Sequence, residues 1–196
     1  MKELKFIHVT KCAGTSIENI GKDNNILWGR FHEEYGWWHG IFPYKSEELK
    51  LKYDWFMVVR NPYERLISEF YCIYGGQGKL KNGKYSMDDL NEKMFNTYIK
   101  IRVKNRSKKG DHYTEQCRYI DKNTPIHIIH FENIEFEFNE LMKKYNLNIK
   151  FNRKDNQSMY SKKFTIKSFT PKLIKLINKV YHDDFLTFGY KKINPE

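Results

Sequence analysis

Three short apolar runs, each leading through a brief turn into a stretch with helical spacing, constrain this chain more than any other feature. Leu4 to Val9 (LKFIHV), Trp55 to Val59 (WFMVV) and Pro125 to Phe131 (PIHIIHF) are a few residues long and rich in β-branched and aromatic side chains. Runs of that length and makeup suit strands buried on both faces. Each is followed by a turn and a helix rather than by a tight hairpin, and parallel strands need such crossovers. An α/β fold is therefore predicted, with a central, mainly parallel sheet flanked by helices.

The helices are marked by their caps. Asn61 stands at an N-cap with Pro62 at the first helical position and Glu64 at the third. Leu66, Ile67, Phe70 and Tyr74 then fall on one face, and Gly75 with Gly76 ends the helix. Met87 to about Lys104 suits a second helix carrying Leu90, Met94, Phe95, Tyr98 and Ile101. Glu132-Asn133 opens a third, running to about Tyr145, and Thr170-Pro171 a last one with Leu173, Ile174, Ile177 and Val180 inward. Residues 24–53, rich in Gly and aromatics and without a clear period, read as loops and short helices; 75–86 and 152–163 read as loops. No repeat or linker divides the chain, so residues 1–196 are expected to form one domain.

The formal net charge of +11 calls for an anionic partner: a nucleotide, a polyanionic glycan, a nucleic acid or an anionic membrane surface. Because the lysines are spread along the whole chain, charge alone does not choose among them. Cys12, Cys72 and Cys117 show no CxxC spacing and an odd count, so neither a disulfide framework nor a Cys-ligated zinc site is expected. No run approaches the roughly 20 apolar residues of a membrane span, and Met1 to Lys5 lead straight into a strand without a signal-peptide core. The chain is expected to be soluble and cytoplasmic, a Golgi-lumenal location requiring a removed anchor.

The chemistry concentrates at two strand ends. Lys11-Cys12-Ala13-Gly14-Thr15-Ser16 lies between the first strand and the first helix. Small residues there let backbone N–H groups approach a phosphate. The helix N-terminus adds partial positive charge, and the hydroxyls and Lys11 add further donors. The alternative is a plain capping box, Thr15 with Glu18. The order GxxxxGK[ST] is absent, since the lysine precedes the glycine, which argues against an ordinary nucleoside-triphosphatase. At the second strand end, Arg60 is followed two turns into the next helix by Ser68, with Arg65 its i,i+3 neighbour. Such a pair can hold a phosphate dianion at the carboxyl edge of a parallel sheet.

FIHVTKCAGTSI resembles the 5′-phosphosulfate loop of sulfotransferases that use 3′-phosphoadenosine 5′-phosphosulfate (PAPS), a segment close to HVPKTAGTSI, with Thr10 where proline is usual. VVRNPYERLISEFY resembles the same family's 3′-phosphate motif, approximately VRDPxERxxSxY. HFENI is similar to the strand-to-helix YEDL element, DHYTEQCRYI to an HxxxQxxYL-type segment, and DDFLTFGY to the last helix. The branch most resembled is that of the membrane-associated carbohydrate O-sulfotransferases, including heparan and chondroitin enzymes.

The resemblance implies a P-loop, nucleotide-kinase-like sulfotransferase fold without a metal requirement. It also implies transfer of a sulfuryl group from PAPS to an acceptor hydroxyl, with release of 3′,5′-phosphoadenosine (PAP). Lys11 would contact the transferring group, Cys12, Ala13, Gly14, Thr15 and Ser16 the 5′-phosphate, and Arg60 with Ser68 the 3′-phosphate. The acceptor would be a glycan or another anionic hydroxyl-bearing molecule.

A base near neutral pH is most often a histidine. His39, in WWHGIF, resembles the catalytic segment of the glycan enzymes and is the first candidate; His112, in DHYTEQ, is the second, as base or substrate-orienting residue. Glu33, Glu34 and Asp111 are carboxylate alternatives. His8, His127 and His130 fall in strands and read as structural, and His32 with His39 lacks HExxH spacing. Trp28, Trp37 and Trp38, with Lys and Arg outside the motifs, are expected to line the acceptor cleft, although three tryptophans of a core loop would read the same in sequence. The competing functions are a P-loop-type kinase, which needs a magnesium-binding Asp that no strand clearly supplies, and a basic nucleic-acid-binding module, for which no recognition motif is present.

Overall fold

A computed structural model of the chain describes residues 1–29, 40–72, 76, 89–108, 110–153, 155 and 163–195. It forms two compact units, Met1–Arg60 with Gln116–Gln157, and Asn61–Glu115 with Ser158–Glu196.

The first unit holds the predicted sheet. Strands β1 (Leu4–Ile7), β2 (Asp54–Val59) and β3 (Ile126–His130) are parallel and ordered β1-β2-β3. Phe6 pairs with Phe56 and Ile7 with Met57, while Val59 pairs with His130 at the far end. β2 is central and buried from Trp55 onward, as its unbroken apolar run requires. Helices α1 (Gly14–Asp23), α2 (Glu47–Lys52) and α5 (Ile134–Lys144) complete the unit. α2 starts where Ser46 accepts from the Leu49 N–H at 3.2 Å, and a 3₁₀ turn over Phe42–Tyr44 precedes it. Loops and short helices are thus found in the described part of 24–53.

Trp28 does not line a cleft. It is 1% exposed and packs edge-on against Phe56 at 5.5 Å and Phe138 at 5.8 Å. Its expected role is corrected to that of a core ring, because the apolar faces of β2 and α5 offer more buried area than a rim could. Trp37 and Trp38 lie outside the described residues.

The second unit is helical in its described residues: α3 (Pro62–Phe70), α4 (Glu92–Lys104), α6 (Pro171–Val180) and α7 (His182–Thr187). Its caps follow the sequence, with Asn61 accepting from the Tyr63 N–H at 3.0 Å and Thr170 from the Leu173 N–H at 3.4 Å. Two boundaries differ. α3 stops at Phe70, before the glycines, where the Cys72 N–H closes a tighter turn onto the Glu69 carbonyl at 2.9 Å. The Phe164 N–H also donates to the Tyr71 hydroxyl at 2.7 Å, anchoring the ring at that end. α4 starts at Glu92 rather than Met87, because the Asn91 side chain caps it by accepting from the Met94 N–H at 3.0 Å. The core is a ring cluster in which Phe70 meets Phe95 edge-on at 4.9 Å and Phe95 stacks on Phe164 at 4.8 Å. Among the described residues, no helix is long and apolar enough to cross a membrane.

Candidate functional site

The turn after β1 is shaped by left-handed backbone at two non-glycine residues, Lys11 (φ 63°) and Ala13 (φ 61°). Each such residue costs on the order of 1 kcal/mol, and strain of this kind collects at ligand-binding turns. It brings the chain from β1 abruptly into α1, whose first turn has no side-chain hydrogen bond at its cap, Ala13. No side-chain bond from the cap residue therefore competes for the leading N–H groups of α1.

The alternative reading, a capping box of Thr15 with Glu18, is not formed, since the cap residue is Ala13. Glu18 points inward instead, with Oε1 3.4 Å from His8 Nδ1 and Oε2 accepting from the Gly29 N–H at 3.3 Å. Both His8 and Glu18 are buried, and the polar pair is compensated internally rather than by the helix end. The His8 ring also explains Gly14: a Cβ there would sit 2.2 Å from His8 Nε2. His8 is thus structural, as expected, and supports the turn from beneath.

Within the turn, the Cys12 side chain is buried and its thiol donates to Gln116 Oε1 at 3.3 Å, which leaves Cys12 only its backbone to offer a ligand. Ser16 Oγ accepts from the Asp155 N–H at 2.8 Å. That contact uses an oxygen lone pair and keeps the hydroxyl proton as a donor. Lys11 is half-buried.

Arg60 follows β2 directly, as predicted. Its N–H donates to Gln116 Oε1 at 2.9 Å, and Gln116 Nε2 donates back to the Arg60 carbonyl at 2.8 Å. The guanidinium carbon lies 4.1 Å from the centre of the Phe131 ring, and Nη1 donates to the Lys11 carbonyl at 3.4 Å. The fold thereby brings the two strand-end motifs together: Arg60 touches the turn that Lys11 opens. Gln116, which the sequence did not single out, joins both motifs. Its signal was present in DHYTEQCRYI, but only the fold shows that one amide serves Cys12 and Arg60 together.

Ser68 is half-buried on α3 and His112 half-buried in the 110–115 segment, both in the second unit. His112 Nδ1 is 2.8 Å from Glu69 Oε2, a carboxylate the sequence did not single out. Arg65, buried on α3, is a structural tie: it donates to the Thr114 carbonyl at 2.8 Å and the His112 carbonyl at 3.3 Å. His39, Glu33 and Glu34 lie outside the described residues.

His127 and His130 have structural partners. His130 Nδ1 is 3.2 Å from Glu137 Oε2. His127 Nε2 donates to the Tyr145 hydroxyl, which donates to Asp54, both at 2.9 Å. Burial, then the Lys144 charge, lowers the His127 pKa. Burial and the bond to Asp54 push Tyr145 up to about 12.

A strained turn at a strand-to-helix junction, a helix N-terminus without a side-chain cap bond and two cations from successive strand ends lie together in the first unit. The sequence profile of the Sulfotransferase family matches residues 2–191. No curated protein and no solved structure matches the chain. With nearly the whole chain covered, the protein belongs to the sulfotransferase family, enzymes that transfer a sulfuryl group.

Proposed function

We propose that the sulfuryl donor is PAPS and that the acceptor is a hydroxyl on a carbohydrate. The observation that carries the donor assignment is the contact between Arg60 and the left-handed Lys11 turn, which sets two cations and a helix N-terminus within one unit. That donor set fits a phosphorylated nucleotide: N–H groups and hydroxyls of Gly14, Thr15 and Ser16 for the 5′-phosphate, and Arg60 for the 3′-phosphate. The motif assigns Ser68 to the 3′-phosphate as well. The carbohydrate acceptor rests on the likeness of WWHGIF to the glycan enzymes.

When bound, PAPS supplies an electrophilic sulfur and a phosphate leaving group. Transfer would join the acceptor oxygen to sulfur and leave the electron pair of the broken sulfur–oxygen bond on the phosphate. His39 accepts the hydroxyl proton. Lys11 and the α1 N–H groups stabilise negative charge that grows in the transition state, where preorganised donors act most strongly.

The experiment is calorimetry with PAP, adenosine 5′-phosphosulfate and ATP, on wild type and Arg60→Ala, alongside sulfation of a glycan panel. PAP should bind far more tightly than ATP. Arg60→Ala should weaken PAP by roughly 2–4 kcal/mol, as for breaking a charged, hydrogen-bonded pair, and should barely affect the ligand lacking a 3′-phosphate. Equal losses for both ligands, or ATP binding as tightly as PAP, would reject the donor; no turnover with any glycan would reject the acceptor.

A further inference from the structure

Glu69, Cys72 and His112 meet in the second unit. Each offers one ligand atom, and these atoms all lie within 4.8 Å of one another. Glu69 is in the last turn of α3, and the Cys72 N–H bonded to its carbonyl at 2.9 Å curls Cys72 back to the same side. His112 comes from a turn held on three sides. The Tyr113 N–H donates to Asp111 Oδ1 at 2.7 Å, Arg65 donates to the carbonyls of His112 and Thr114, and the Tyr181 hydroxyl donates to the Tyr113 carbonyl at 2.8 Å. The three side chains are thus presented by rigid backbone from two segments.

The energetics of Glu69 point to a missing partner. The residue is 0% exposed, and while Oε2 meets His112, Oε1 is buried without a hydrogen-bond partner among the described residues. A carboxylate oxygen in that state carries an unrepaid desolvation cost. Arg102 is near enough to feel the charge of Glu69 without bonding to that oxygen. A cation bridging carboxylate, thiolate and imidazole would satisfy the oxygen and neutralise the buried charge.

We propose that Glu69, Cys72 and His112 bind a divalent transition-metal ion, zinc foremost. One sulfur, one nitrogen and one oxygen ligand suit zinc, whereas magnesium and calcium favour oxygen alone. Cys72 is 7% exposed, but the His112 side chain is 34% exposed and opens a path for the ion and for water as fourth ligand. Binding releases the Cys72 thiol proton, and any proton between His112 Nδ1 and Glu69 moves off Nδ1. With Glu69 and Cys72 anionic and His112 neutral, the zinc complex carries no net charge. Coordination through Nδ1 leaves the His112 Nε2 protonated and unable to act as a base, which accords with His39 in that role. The site depends on the second unit alone and stands whether or not PAPS is the donor.

The test is to strip the full chain with a chelator and titrate it with cobalt(II), whose thiolate charge-transfer absorption reports a Cys ligand, and with zinc against a chromophoric chelator. One equivalent of cobalt should give the thiolate band in wild type and in Cys117→Ala, and none in Cys72→Ala. Zinc affinity should fall at least about tenfold in His112→Asn and Glu69→Gln, in line with loss of a ligand or its support. Circular dichroism checks that each variant is folded. Absence of the band in wild type, its survival in Cys72→Ala, or zinc binding unchanged across folded variants would overturn the site.

Discussion

Replacing Gln116 with alanine should show how much one buried amide contributes to the architecture of the phosphate cradle. Gln116 is 0% exposed and uses its side chain three times: its oxygen accepts from the Arg60 N–H and the Cys12 thiol, and its nitrogen donates to the Arg60 carbonyl. Truncation leaves a buried backbone donor and acceptor unmatched, each costing about 1–3 kcal/mol, and the weaker thiol bond adds little. A loss of roughly 2–6 kcal/mol follows. For a chain of this size that amounts to about 4–24 °C in Tm, at 2–4 °C per kcal/mol.

The chain leaves the first unit after Arg60 and returns to it at Gln116, so this pair closes the excursion at its base. Loss of the amide should loosen the Arg60 backbone and, with it, the contact to the Lys11 turn. PAP affinity should therefore fall even though Gln116 is not assigned a place against the nucleotide. Urea unfolding followed by tryptophan fluorescence, with calorimetry for PAP at a temperature where the variant is folded, measures both effects. Gln116→Glu is the control, since it retains an acceptor for the Arg60 N–H but sets an oxygen against the Arg60 carbonyl. Stability within 0.5 kcal/mol of wild type for Gln116→Ala, the range typical of an unimportant surface change, would refute the reasoning.

Lys11→Ala should lower turnover by roughly 100-fold or more, as for loss of other transition-state donors, while PAP affinity falls much less; steady-state kinetics beside calorimetry separates the two. His39→Ala should lose about 100- to 10,000-fold in turnover with nucleotide binding retained, and full turnover would exclude it as the base. Gly14→Ala should destabilise by roughly 1–3 kcal/mol, because its Cβ would overlap a His8 ring that Glu18 holds in place, as measured by denaturant midpoint. For His127, the folded-state pKa lies below the unfolded value of about 6.5. The native state then binds fewer protons, so stability is fully present above that unfolded pKa and is lost as pH falls through it. His127→Gln, which can still donate to Tyr145, should flatten this acid-side decline in a pH series of urea midpoints.

Local patterns were enough to establish much of the fold and the position of the turn after β1. A buried strand reads as an unbroken apolar run whatever surrounds it, which is why β1, β2 and β3 fall where LKFIHV, WFMVV and PIHIIHF stand. Asn-Pro and Thr-Pro announce helix starts through side-chain bonds made within one turn, so α3 and α6 begin as expected. Helix ends depended on more distant partners. Nothing near Phe70 in the sequence marks an end, but the tertiary contact between Phe164 and Tyr71 anchors that turn.

The sequence by itself determined which residues are candidates for a phosphate, because the turn from strand to helix, its small residues and its lysine are all local. The tertiary structure decided which of them act together. Glu18 could have capped its own helix, but the buried His8 offers it a partner in a medium where an unpaired carboxylate is costly. Trp28 could have faced a sugar, but aromatic area is worth more against Phe56 and Phe138. Gln116 bonds to Arg60 across 56 positions of sequence, and His112 meets Glu69 across 43. No spacing rule reaches that far: such pairs form only after the strands and helices have packed, when burial makes every unpaired polar group seek the nearest partner the fold provides.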